Sequence, residues 1–249
     1  MKFLFLTILH FLFFITTSCD QPQNMDDKKK LVIATSSDNP PYEYIKEGEI
    51  IGFDIDIIHE IFKNTQYKIE IKNMDFHALI PSLVSKRVDL VIAGLSINQE
   101  RAKIVDFSIP YTQANPVLIF KKELHQDFSL EKIQDQTIAV QIGTVFVEMG
   151  KILSEKYNSN LFQVENSLFS IQDLLIDRMD YIILEKFQAQ RFTEIYPELT
   201  FYQLENFESS SFAIAMPKNC PMKDEIDNAI LKIKKSGTID KLYEKWNIY

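Results

Sequence analysis

The chain has 249 residues, 46% of them apolar, with 35 acidic against 27 basic side chains and a net charge of −8. That balance excludes a nucleic-acid partner, which needs a basic face, and the length leaves room for two cores rather than one. Two cysteines in the whole chain offer neither a disulfide framework nor a thiolate metal site.

The first residues read as a targeting segment. After Lys2, the run Phe3 to Ile15 is apolar except for Thr7 and His10. It is shorter than the roughly 20 residues a bilayer-spanning helix needs, so residues 1–18 are expected to be a secretory signal. Cys19 follows the small pair Thr17-Ser18, an arrangement that suits lipoprotein processing, in which the new N-terminal cysteine is acylated. Thr16 stands where leucine is usual at such sites, so an ordinary signal with an incidental cysteine stays open. Asp20 is a residue that retains lipoproteins at the inner membrane of some Gram-negative bacteria. Residues 19–30 are too polar for a core and read as a tether. The expectation is a lipid-anchored protein of the periplasm or cell surface, touching the membrane only through Cys19. Cys220 is expected to be inert.

From residue 31 onward, short β-rich runs alternate with segments of helical period, the pattern of an α/β protein with parallel sheets covered on both faces. Leu31–Thr35 predicts a strand, Asp54–Lys63 a helix with Ile58, Ile61 and Phe62 on one face, and Tyr67–Lys72 a strand with one wetter face. Pro81 predicts an irregular first turn in a helix ending near Lys86. Val88–Ala93, Thr137–Gln141 and Tyr181–Leu184 are near-continuous apolar runs, as strands buried on both sides should be. Met222–Ser236 predicts a helix through Ile226, Ala229, Ile230 and Ile233, stopped at Gly237. A last helix carries Ile239, Leu242, Tyr243 and Trp246. Pro116–Lys121 and Ser209–Pro217 each join stretches that already look complete, and they read as a pair of crossovers. The resulting division is a discontinuous lobe, 31–115 with 212–249, and a continuous lobe, 116–211.

The densest chemical signal runs from Asp89 to Tyr111. A strand there gives way to a turn presenting Gly94, Ser96 and Arg101, at the carboxyl end of a sheet where ligands of open α/β folds bind. Arg101 can clamp a carboxylate with two parallel hydrogen bonds, which lysine cannot do. Gly143-Thr144 follows a second strand and opens a helix, so Thr144 can cap it and its first amides can face an anion.

These residues occur in company. Asn39-Pro-Pro-Tyr42-Glu-Tyr, Gly52-Phe-Asp-Ile-Asp56, Phe76-His-Ala-Leu-Ile-Pro-Ser-Leu83, Val140-Gln-Ile-Gly-Thr144 and Ser236-Gly-Thr-Ile-Asp-Lys-Leu-Tyr-Glu-Lys-Trp246 flank the Asp89–Tyr111 segment in a fixed order. Together they resemble the family 3 solute-binding proteins of ABC importers, over nearly the whole chain beyond the signal. The resemblance implies a two-lobed, type II periplasmic-binding-protein fold, with two mixed or parallel sheets flanked by helices and joined by a two-strand hinge. It also implies a monomer that binds a polar or basic L-amino acid by cleft closure and delivers it to an ABC transporter permease in the inner membrane, with no cofactor.

By that resemblance, Arg101 grips the ligand α-carboxylate, helped by backbone N–H groups at Ser96 and around Thr144 and Val145. Glu185, where most relatives carry aspartate, pairs with the ligand ammonium, and the Ser96 hydroxyl and Gly94 carbonyl complete that shell. Ser36, Asn39, Phe76 and Gln141 match the variable wall facing the ligand side chain. Phe76 suits a planar cation such as guanidinium, so arginine is the first expectation. Ser36 replaces a frequent acidic residue and Asn39 a frequent aromatic. Asp38 either supplies the missing negative charge or stabilises the turn before Pro40-Pro41. The competing reading is an enzyme resembling the periplasmic cyclohexadienyl or arogenate dehydratases of the same fold, with Glu185 as general acid. The histidines are scattered, and none stands beside Glu185 in sequence.

Overall fold

The computed structural model describes residues 29–124 and 127–248; the signal segment 1–18, Cys19 and all but the end of the 19–30 tether lie outside the described residues. In chain order, β1 (Lys29–Thr35) leads into a small antiparallel meander of β2 (Asp38–Asn39), β3 (Glu43–Lys46) and β4 (Glu49–Ile51). Helix α1 (Phe53–Phe62) and strand β5 (Tyr67–Asn73) follow, then α2 (Leu79–Val84) and β6 (Leu90–Val91). Phe76–Ala78 forms a 3-10 turn ahead of α2, the irregular start that Pro81 predicts, since a proline tolerates only the first turn of a helix. Next come α3 (Gln99–Ile104), β7 (Val105–Phe107) and β8 (Thr112–Ala114).

The second half-sheet is built from β9 (Pro116–Lys121), β10 (Thr137–Gln141), α4 (Phe146–Tyr157), β11 (Asn160–Val164), α5 (Ser167–Leu175), β12 (Tyr181–Glu185), α6 (Lys186–Ile195) and β13 (Leu199–Gln203). The chain then returns through β14 (Ser210–Phe212) and β15 (Ala215–Pro217) to α7 (Lys223–Lys235) and α8 (Thr238–Trp246).

Two five-stranded mixed sheets result, ordered β5-β1-β6-β15-β7 and β11-β10-β12-β9-β13. β1 runs parallel to β5 and β6, and β10 parallel to β11 and β12; β15 and β9 are inserted antiparallel to their neighbours. Each sheet buries both faces. In the first, Ile57, Ile58 and Ile61 of α1 pack with Ile226, Ile230 and Ile233 of α7 on one side, and Leu79 and Leu83 of α2 cover the other. In the second, Ile171 and Leu174 of α5 and Phe192 of α6 face one side, and Leu153 of α4 the other. Each such side chain fully withdrawn from water contributes roughly 1.5–3 kcal/mol, which is why the helical periods specify the layers.

The hinge differs from the sequence expectation. Pro116–Lys121 is not a crossover: as β9 it lies inside the second sheet between β12 and β13, and Val117 to Phe120 are fully buried. The crossover pair lies slightly earlier, where β8 and β14 join antiparallel with Ala114 opposite Ser210. Ser209–Pro217 divides between that pair and β15. A buried run reads alike whether it sits within a sheet or between two, so its partner was not visible in composition.

Candidate functional site

Gly94 and Ser96 lie just past β6, and Arg101 in the first turns of α3. Asn98 caps that helix by accepting from the Arg101 backbone N–H at 2.8 Å, which fixes the Cα from which the guanidinium reaches inward. Its Nη1 donates to the Ser96 carbonyl at 2.6 Å, and its Nη2 crosses to the other lobe to donate to the Gly143 carbonyl at 2.8 Å. The guanidinium also lies over the Phe76 ring, 5.6 Å from its centroid. Arg101 is only 9% exposed, and loss of hydration pulls its pKa down to about 10, so it stays charged at neutral pH.

Glu185 ends β12 in the opposite lobe and is itself the cap of α6. Its Oε2 accepts from the Phe187 and Gln188 N–H groups at 2.7 and 3.3 Å, and its Oε1 from the Asn115 N–H at 3.4 Å. At 2% exposure, burial pushes its pKa up to about 7 against the pull of those donors. The Tyr42 hydroxyl adjoins it, buried and without a hydrogen bond of good geometry; burial, then the Glu185 and Asp54 charges, drive the phenol pKa upward.

Arg101 and Glu185 line one closed cavity between the lobes, together with Gly94, Ser96, Phe76, Asn39, Gln141, Thr144 and Val145. The enclosed space is about 30 Å3, enough for a water or two, so an amino acid enters only when the lobes part. Ser36 is not brought to the wall. It sits in the turn after β1, and its hydroxyl donates to the Asp38 carboxylate at 2.9 Å. Thr144 lines the cavity but does not cap α4: its hydroxyl turns back to the Gln141 carbonyl at 2.7 Å, and Val145 takes the cap position with no side-chain bond. The N-terminus of α4 reaches the cavity through Thr144, Val145 and Phe146, and the Val147 N–H donates to the Thr144 carbonyl at 3.4 Å.

Sequence reasoning also left out Gln188 and Phe212, both in the lining. Gln188 follows Glu185 by three residues, and helical spacing from the cap was the signal that could have found it. Asp38 performs neither role weighed for it alone. Its Oδ2 accepts across the gap from Gln141 Nε2 at 2.7 Å and from the Ser167 N–H at 3.0 Å, while its carbonyl accepts from the Ser167 hydroxyl at 2.6 Å. It is a bond between lobes, with burial raising its pKa against those donors.

Among the described residues there is no group of three or more side chains able to hold a metal ion, and no helix long and apolar enough to cross a membrane.

The chain is similar to known proteins over nearly its whole length. Residues 31–248 match the model of the bacterial extracellular solute-binding proteins, family 3. The arginine-binding extracellular protein of Bacillus subtilis is 32% identical over 98% of this chain and 97% of its own length. An ancestral arginine-binding protein superimposes in its arginine complex with a TM-score of 0.82 at 32% identity, covering 88% of this chain and 99% of that one. An ancestral arginine-binding protein bound to glutamine gives 0.81 at 33% identity, over 87% of this chain and 97% of that one. These relatives are binding proteins rather than enzymes, which sets the dehydratase reading aside. The chain belongs to the family 3 bacterial extracellular solute-binding proteins, in the two-lobed type II fold.

Proposed function

We propose that the protein binds a basic L-amino acid, arginine first, between its lobes and presents the closed form to an ABC transporter permease. The observation that carries this reading is the pair of buried, opposite charges, Arg101 from one lobe and Glu185 from the other, on one cavity. A zwitterion entering a closed cleft loses hydration on both ends, and each bare charge costs several kcal/mol unless paired. The ligand carboxylate takes the Arg101 donors now held by carbonyls, with the N-terminus of α4 behind it. The ammonium takes Glu185, near Gly94 and Ser96. Both charges are met only when the lobes close, so binding and closure are one event. Phe76 and the arginine-binding relatives support a guanidinium side chain.

The sheet memberships support lobe limits of 31–115 with 212–249, and 116–211. We further propose that the protein acts as a monomer in the periplasm or at the cell surface, held by lipid on Cys19 after removal of residues 1–18. A thermal-shift screen of the twenty L-amino acids tests the function: a ligand at 100 times its Kd adds about 2.7 kcal/mol to stability and raises the melting temperature accordingly. A flat screen at millimolar concentrations contradicts the proposal.

Glu185 makes binding pH-dependent. With its pKa near 7 in the ligand-free protein, it is largely protonated at pH 6, whereas the ligand ammonium requires the carboxylate. Binding therefore releases a proton, and affinity falls by up to about tenfold per pH unit below 7. Calorimetry at pH 6 in buffers of different ionisation enthalpy measures that release; Glu185→Gln abolishes it. Identical heats in all buffers for the unmodified protein speak against the ammonium role.

A further inference from the structure

Three carboxamides line the ligand cavity, and all three have their nitrogen tied to the protein. Asn39 Nδ2 donates to Glu43 Oε1 at 2.9 Å. Gln141 Nε2 donates to Asp38 Oδ2 at 2.7 Å and to the Glu165 carbonyl at 3.1 Å. Gln188 Nε2 donates to the Ser167 hydroxyl at 2.9 Å, and that hydroxyl is itself committed to the Asp38 carbonyl. Each nitrogen faces an atom that can only accept, or whose own proton is already used, so none of the three amides can turn over. Among the described residues no protein donor reaches the three opposing carbonyl oxygens.

The group behind Asn39 is held by a proton. Glu43 and Asp54 are buried hydrogen-bond neighbours. Glu43 Oε2 and Asp54 Oδ1 are buried oxygens with no N–H or O–H donor, while Asp54 Oδ2 accepts from the Gly94 N–H and the Tyr111 hydroxyl, both at 2.7 Å. One proton between Oε2 and Oδ1 satisfies both orphans, and burial with the Asp54 charge pushes the Glu43 carboxyl well above the usual range, so Glu43 is the one that carries it. Its Oε1 is then fixed as a carbonyl acceptor towards Asn39.

Resting on the amino-acid-binding reading above, we propose that the ligand side chain is selected by the carbonyl oxygens of Asn39, Gln141 and Gln188, with Glu43 and Asp38 as positioning residues that hold these oxygens towards the ligand. The wall facing the ligand side chain then carries three acceptors, against one amide hydrogen of Asn39 that Glu43 leaves unused. A guanidinium or ammonium satisfies it, a urea or amide places a carbonyl against it, and a carboxylate is repelled. Charge reaches the ligand side chain indirectly, through the Gln141 amide polarised by the Asp38 carboxylate behind it, which accounts for a basic preference with no carboxylate at Ser36 or Asn39.

L-citrulline matches L-arginine in shape but replaces one terminal donor by an oxygen, so the ratio of their dissociation constants reads the wall alone. Calorimetry on the purified protein is expected to favour arginine by roughly 100-fold, the effect of one or two buried polar groups left unmatched. Gln141→Met removes one acceptor and is expected to cut the ratio roughly tenfold. Glu43→Leu takes away the acceptor behind Asn39, with a similar cut. Glu43→Gln and Asp38→Asn are expected to keep the ratio, because the amide nitrogen of the first replaces the protonated Oε2 against Asp54 while its oxygen still accepts from Asn39, and the amide oxygen of the second is held by the Ser167 N–H and still accepts from Gln141. A merely structural role weakens both ligands together and leaves the ratio alone, and an unchanged ratio in Gln141→Met overturns the proposal whether or not Glu43→Leu folds. So does citrulline binding within threefold of arginine, or glutamate binding where arginine is silent, both of which leave amino-acid binding standing. Silence with all twenty amino acids overturns both readings.

Discussion

Arg101→Ala is expected to weaken amino-acid binding by at least about 100-fold while leaving the protein folded. Breaking a buried charge pair on one side costs about 3–5 kcal/mol, because the partner charge stays behind without compensation. Here the loss is compounded: among the described residues the cavity wall has no other buried cation for the ligand carboxylate, and the Ser96 and Gly143 carbonyls lose their donor. The fold is spared because the α3 cap uses the backbone N–H of residue 101, which alanine keeps. Calorimetry with arginine, beside a melting curve of the variant, reads both halves. Undiminished affinity removes the foundation of the assignment, and a collapsed melting curve shows that Arg101 is structural.

The largest effect on stability is expected from Gly52→Ala. Gly52 precedes α1 with φ +144, and a Cβ there would lie 2.0 Å from the Tyr42 carbonyl oxygen and 2.8 Å from the Glu43 nitrogen. Both are backbone atoms, so no rotamer change relieves the clash. The same carbonyl accepts from the Asp54 N–H at 2.9 Å, so moving it disturbs the start of α1 and the Glu43–Asp54 pair together. Strain at such a position combined with overpacking places the loss above about 4 kcal/mol, a drop of at least about 8 °C in Tm. Gly48→Ala is the control: its φ is also positive, at +85, but nothing lies within 4 Å of the added carbon, so it should lose only about 1 kcal/mol. Equal losses in the two variants would mean that the contact with Tyr42 is not what Gly52 avoids.

Much of the fold was legible because its periods are strong. Thr137–Gln141 has the bounds its apolar run predicts, and α1 and α7 bury the isoleucines that their spacing puts on one face. What periodicity cannot give is partnership. Pro116–Lys121 reads as a connector because it lies between two complete-looking units, yet β12 and β13 claim it from either side. The site divides in the same way. Arg101 and Glu185 stood out as charges at strand ends. Asp38 stood out only as a pocket charge or a turn residue, because its bonds to Gln141 and Ser167 join residues 103 and 129 positions apart in the chain. Nor does a sequence tell which way a carboxamide faces, since its neighbours decide that.

The order of the first sheet bears on how the chain assembles. β15, made almost last, occupies an inner slot between β6 and β7, and α7 and α8 then close the core over α1. The half that begins synthesis therefore cannot be completed until nearly the whole polypeptide exists, whereas the intervening half contains every strand of its own sheet and can finish alone. Folding of the first half is set by contacts spanning more than a hundred residues, the regime of slow, late assembly, and a chain cut short before residue 215 is left with an open gap in a sheet rather than a smaller domain.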